Sequence, residues 1–94
     1  MFSTNTSNVY PSSDEVREWN KDTLIKFLQD QNLKINQKHI TTLDNQEVSG
    51  PAFLLLTERK LLNAPYNLPA GPASIIAEFV NKINGEEKGK AFAS

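Results

Sequence analysis

The sequence predicts an all-α domain, a bundle of five helices ending in a long C-terminal one, and three observations predict it. Apolar residues recur at helical spacing in two stretches: Leu24, Phe27 and Leu28 early, and Ile76, Phe79, Val80 and Ile83 late. Residues suited to capping helix N-termini stand at Asn20, Asn36 and Thr57. The run Phe53 to Leu56 has the length of a buried strand, but leucine is not β-branched and no second strand candidate exists to pair with it.

A chain of 94 residues, 38% of them hydrophobic, holds one domain with one core. The composition divides it into a disordered or loosely docked leader over 1–14, the domain over 15–84 and a flexible tail over 85–94. The leader is rich in Ser, Thr and Asn, with Phe2, Val9 and Tyr10 scattered through it. It contains the sequon Asn5-Thr6-Ser7, which reads as unused because no signal peptide is evident. Ser12 and Ser13 precede Asp14 and Glu15, an arrangement that suits an acidophilic kinase but reads first as a solvated linker.

The elements follow in order. Trp19 lies just ahead of the cap Asn20, where an aromatic folds back onto the core. The first helix runs from Lys21 to about Gln31, with Ile25 widening its apolar face, Asn32 as a left-handed stop and Leu33 docking beyond it. Asn36 caps a second helix to about Asn45, carrying Ile40 and Leu43. Gly50 and Pro51 open a short buried third helix, Gly50 for its tolerance of turn geometry and Pro51 because an N–H is not needed there. Thr57 caps the fourth, with Leu61 and Leu62 as its apolar residues. The segment from Asn63 to Gly71 is a loop, since two prolines and a glycine interrupt it. Pro72 begins the last helix, which closes near Asn84-Gly85.

Several function classes are excluded at this level. Without cysteine there are no disulfides, thiolate metal sites or thiol nucleophiles. His39 is the lone histidine, so it supplies no ordinary metal site and reads as a helix-surface or partly packed residue. The glycines are dispersed, which rules out a phosphate-cradling loop, and no nucleophile, base and orienting group converge. The expectation is a non-enzyme without a cofactor. A net charge of −1 gives no broad basic surface for nucleic acid, and no apolar run approaches the ~20 residues of a membrane helix. We therefore expect a soluble intracellular protein or fragment, cytoplasmic or nuclear.

The ordered series of residues resembles the sterile alpha motif (SAM) domain family over roughly 16–83. Trp19, Asn20 and Leu24 match that family's opening Trp, polar cap and apolar position. Phe27, Leu28 and Leu33 match the apolar residues that follow. Glu47, Val48, Ser49 and Gly50 are similar to its acidic, aliphatic, polar, glycine step, with Phe53, Leu54 and Leu56 behind. Leu61 fits the leucine of the fourth helix, and Gly71, Ile76 and Val80 the glycine and aliphatic positions of the fifth. Two departures fall on a surface the family uses for contact. The loop before Gly71 is about two residues longer, through Pro69 and Ala70, and Pro72, Ala73 and Ser74 stand where a basic residue is common.

The resemblance implies a protein-interaction module that pairs with itself or with another SAM domain, within a larger signalling, scaffold or transcriptional protein. The family's head-to-tail contact joins a mid-loop surface to the N-terminal end of the last helix. Here that implies Asp44, Glu47 and Ala52 on one side, and Leu68, Ala70, Gly71, Ala73 and Ile75 on the other. Taken singly, Asp44 and Glu47 read equally as solvated charges, and Ile75 as a peripheral core residue. The alternative is an RNA-hairpin-binding SAM domain, for which Lys34, Lys38 and His39, with Lys21 and Lys26, would meet phosphates; Asp22, Asp30 and Asp44 interrupt them.

Overall fold

The computed structural model describes residues 10–93, with side chains described for residues 10–85. The sequon Asn5-Thr6-Ser7 and the rest of residues 1–9 lie outside the described residues, as does the side chain of Phe92. Among the described residues the chain forms six helices: α1 (Ser13–Arg17), α2 (Lys21–Asp30), α3 (Gln37–Asn45), α4 (Gly50–Leu54), α5 (Glu58–Leu62) and α6 (Ala70–Ala93). The all-α class and the long final helix are as the sequence predicts.

The additional helix is α1, at the junction of leader and domain. The Ser12 hydroxyl accepts the Glu15 N–H at 3.1 Å, and Asp14 and Glu15 occupy the first turn, where negative charge suits the unpaired amides. Val16 is fully buried and Ser13 nearly so, so this turn docks on the domain and is not a solvated linker. Even Tyr10 is held, its ring edge-on to Phe79 at 5.6 Å between centroids.

The predicted caps close the next helices. Asn20 accepts from Thr23 N–H (2.9 Å), Asn36 from Lys38 N–H (2.9 Å) and Thr57 from Lys60 N–H (3.2 Å). Asn32 does not take the left-handed conformation expected of it; Lys34 does, with φ 63°. Gly50 serves a different purpose from the expected one. Its φ is not left-handed, and its N–H bonds the Trp19 carbonyl at 3.0 Å, binding the start of α4 to the chain leaving α1.

Helix α6 begins at Ala70, two residues ahead of Pro72, and runs through Asn84 and Gly85 to Ala93. A glycine inside a helix costs only about 1 kcal/mol, no proline follows, and a Cβ at Gly85 would meet nothing within 4 Å. The expected stop is therefore passed over.

The core is one cluster. Helix α2 packs on α3, α5 on α6 and α1 on α4, while α4 also meets α6 and α2. Phe53, Leu24, Leu28, Leu43, Leu61, Ile76 and Ile83 are its largest fully buried side chains. Phe79 joins the layers, with its ring 5.9 Å from Phe27 and 6.3 Å from Phe53; Trp19 folds back onto Phe27 at 4.8 Å, as its position predicts.

Candidate interaction surfaces

The acidic surface is built at the end of α3. The N–H of Glu47 bonds the Asp44 carbonyl (2.9 Å) and that of Val48 bonds the Leu43 carbonyl (3.1 Å). These are the two bonds of a Schellman ending, in which the residue after the cap adopts the left-handed conformation. Here that residue is Glu47, with φ 57°, although glycine is the usual occupant. Val48 is buried beyond it, and the turn leaves the Glu47 side chain exposed.

Asp44 is half-buried beside it, and its Oδ1 lies 3.0 Å from Lys21 Nζ at the start of α2. Lys21 also lies 3.8 Å from Asp22 Oδ1. The Lys21 ammonium is held above its ordinary pKa of 10.5, first by the Asp44 hydrogen bond and charge, then by the charges of Asp22 and Glu47. Three carboxylates thus act on one cation, and a local excess of negative charge remains. Lys21 and Asp22 belong to this surface although the sequence reading did not include them, because only the packing of α2 on α3 brings them there. Ala52, on α4, is half-buried against the core.

The opposing surface is smaller than expected. Leu68 is 5% exposed and Ala73 0%, so both side chains face the core and not the surface expected of them. Leu68 is tied down by its N–H, which bonds the Leu61 carbonyl at 2.8 Å. Ala73 lies on the inner stripe of α6 with Ile76, Ala77 and Val80, the i, i+3, i+4, i+7 pattern of a buried helix face. Ala70 and Gly71 are exposed and Ile75 half-buried, and these three remain available. A Cβ at Gly71 would meet nothing within 4 Å. The donors at this helix end are few: Pro72 has no N–H, and that of Ala73 bonds the Pro69 carbonyl at 3.0 Å. Ser74 Oγ donates to Glu58 Oε2 at 2.9 Å, so the side chain brought beside this turn is an acid.

The residues named for phosphate contact are partly engaged elsewhere. Lys21 is bridged to Asp44, and His39, expected at the helix surface or partly packed, is buried. No group of His, Asp or Glu that could hold a metal occurs among the described residues, and no helix among them is long and apolar enough to cross a membrane.

A third feature lies outside both surfaces. Leu55, at the end of α4, is 67% exposed and lines an open groove of about 360 Å³ together with Arg17, Pro51, Leu54 and Asn84. The sequence reading placed it in the core with its neighbours. Within the unbroken apolar run from Ala52 to Leu56 no local pattern sets it apart; it shares a helix side with Pro51 (i+4) and Ala52 (i+3), which the structure leaves outward.

Comparison with known proteins gives a family model, described as a SAM-like domain, matching residues 1–82; it is not a catalytic family. The human protein named Sterile alpha motif domain-containing protein 9-like is 34% identical over 71 residues, covering 76% of this chain. The chain spans 4% of that relative's length. No solved structure matches it.

Proposed function

Because this chain belongs to the SAM-like domain family, whose members are typically protein-interaction modules, we propose that it joins protein chains by homo- or hetero-oligomerisation. Its acidic surface meets the N-terminal end of α6 on another copy or on another SAM domain. The observation that carries this reading is Glu47: a charged residue occupies a left-handed position where glycine would cost less, and its carboxylate joins Asp44 and Asp22 around Lys21. Negative charge at an exposed helix N-terminus is worth about 0.3 to 1 kcal/mol, so burial around Ile75 must supply most of the affinity. The contact is heterologous, and it extends into open chains unless the rotation closes. The module serves as an adaptor within a larger intracellular signalling, scaffold or transcriptional protein, cytoplasmic or nuclear.

The test is sedimentation over a range of concentrations, together with capture on immobilised wild-type chain and on immobilised SAM-type domains. Glu47→Lys and Ile75→Glu should fold normally and lose the head-to-tail growth beyond a dimer, or capture. If both variants sediment and are captured as the wild type is, the reading fails.

A further inference from the structure

We infer that the outer edge of α4 is a second, two-fold contact between copies of this chain, with Leu55 as its apolar centre. The inference rests on the reading that the domain meets copies of itself; it shares Glu47 and Ala52 with the acidic surface but centres on Leu55 and has a different symmetry. Pro51, Ala52 and Leu55 share the side of α4 that its buried residues Gly50, Phe53 and Leu54 leave outward. Leu55 is the projecting residue, and it forms one wall of the open groove that Arg17, Pro51, Leu54 and Asn84 complete. A two-fold rotation sets each projecting Leu55 against the other copy's groove, so that the same patch serves both sides of the contact.

The charges at the two ends of α4 select the same arrangement. Glu47 stands exposed ahead of the helix. Lys60 stands exposed beyond it, and its Nζ is fixed to the Leu55 carbonyl at 3.1 Å. Among the described residues no ion pair engages Lys60, while Arg17 is bonded to Asp14. Two α4 edges laid antiparallel bring each Glu47 to the other copy's Lys60, whereas a parallel pair sets like charges together. Charge and shape therefore specify one occupant, a second copy running the opposite way. The end of α6 that carries Ile75 takes no part. Asn84, on the groove wall, is fourteen residues along the helix from Ala70, about 21 Å at 1.5 Å per residue.

Sedimentation of the full chain at low and moderate salt tests this, with circular dichroism and thermal melting as controls for folding. The wild type should associate with rising concentration, and Ile75→Glu, which lacks the head-to-tail contact, should show the two-fold dimer alone, weakening with salt. Leu55→Glu should weaken it about tenfold or more without altering the fold, since the side chain is exposed. Glu47→Lys and Lys60→Glu should each weaken it, and the double variant, which exchanges the charges on both copies, should restore it. Ile75→Glu should leave this dimer intact. Normal dimerisation of Leu55→Glu, or a double variant no better than the singles, overturns the inference. So does a wild type that stays monomeric, in which case capture by other SAM-type domains decides the proposed function separately. Assembly abolished by Ile75→Glu and untouched by Leu55→Glu would uphold the head-to-tail contact and reject this one.

Discussion

Gly50 lies against the backbone of Val16 so closely that a Cβ added there would sit 1.9 Å from the Val16 carbonyl oxygen, 3.0 Å from its carbonyl carbon and 3.1 Å from the Trp19 Cβ. The obstructing atoms are mostly backbone and cannot rotate away. The same contact carries the hydrogen bond from Gly50 N–H to the Trp19 carbonyl. Glycine here is what allows α1 to dock on α4 and Val16 to reach the core.

Gly50→Ala should therefore cost about 2 kcal/mol or more, by displacing α1 and uncovering Val16. In a domain of this size that lowers the melting temperature by about 10 °C. Gly71→Ala provides the control, since its Cβ would meet nothing within 4 Å and the position is helical. It should be neutral or slightly stabilising by thermal melting. Equal melting temperatures for the two variants would rule out the close approach.

Glu47→Gly should stabilise the domain by about 0.5 to 1 kcal/mol, because the Schellman position demands a left-handed φ that a side chain resists. The same substitution should weaken association, since it removes a carboxylate from the acidic surface. Urea unfolding and sedimentation on one sample read the two effects. A gain in stability with a loss of binding is the signature of a residue kept for contact, whereas a loss of stability would mean that the Glu47 side chain supports the turn.

What could be read from the sequence was what is local. Caps at Asn20, Asn36 and Thr57 act within three residues of themselves, and the apolar spacing of α2 and α6 repeats over several turns, so both were legible. Helix α1 was not, because five residues are too few to show a period and its burial depends on Gly50, more than thirty positions on. On the candidate surfaces Asp44 and Glu47 were legible as acids near a helix end. Their convergence with Asp22 on Lys21 depends on α2 meeting α3, which no local pattern reports. Leu68 and Ala73 were misplaced because both flank the start of α6 taken at Pro72. Begun at Ala70, the helix puts Ala73 on its inner stripe.

That correction separates two neighbouring substitutions. Leu68→Ala removes a buried side chain beside Leu61 and should cost about 2 to 5 kcal/mol. Ile75→Glu changes a half-buried residue on the outer side of α6 and should keep the cooperative unfolding transition. Denaturant melts of both variants decide it; similar losses would mean that Ile75 belongs to the core.

The Lys21–Asp44 bridge should make stability fall at alkaline pH in a particular window. The folded protein holds the Lys21 proton more tightly than the unfolded chain does, chiefly through the Asp44 hydrogen bond and charge. A group whose pKa is raised on folding contributes its full stabilisation below the unfolded value. The contribution fades as pH climbs from that value, 10.5, through the folded one. The wild type should thus lose part of its stability above 10.5, and Lys21→Gln, with no proton to lose there, should lose less over the same range. Near neutral pH the difference between them should be small and should shrink with salt, because both partners are substantially exposed. Urea unfolding of the two proteins at about pH 9 and about pH 11 measures it, and parallel declines would mean that the bridge does not persist in solution. Opening the bridge also uncovers Asp44, so Lys21→Gln should strengthen the pull of the acidic surface on the amides of a helix N-terminus while weakening the tie between α2 and α3.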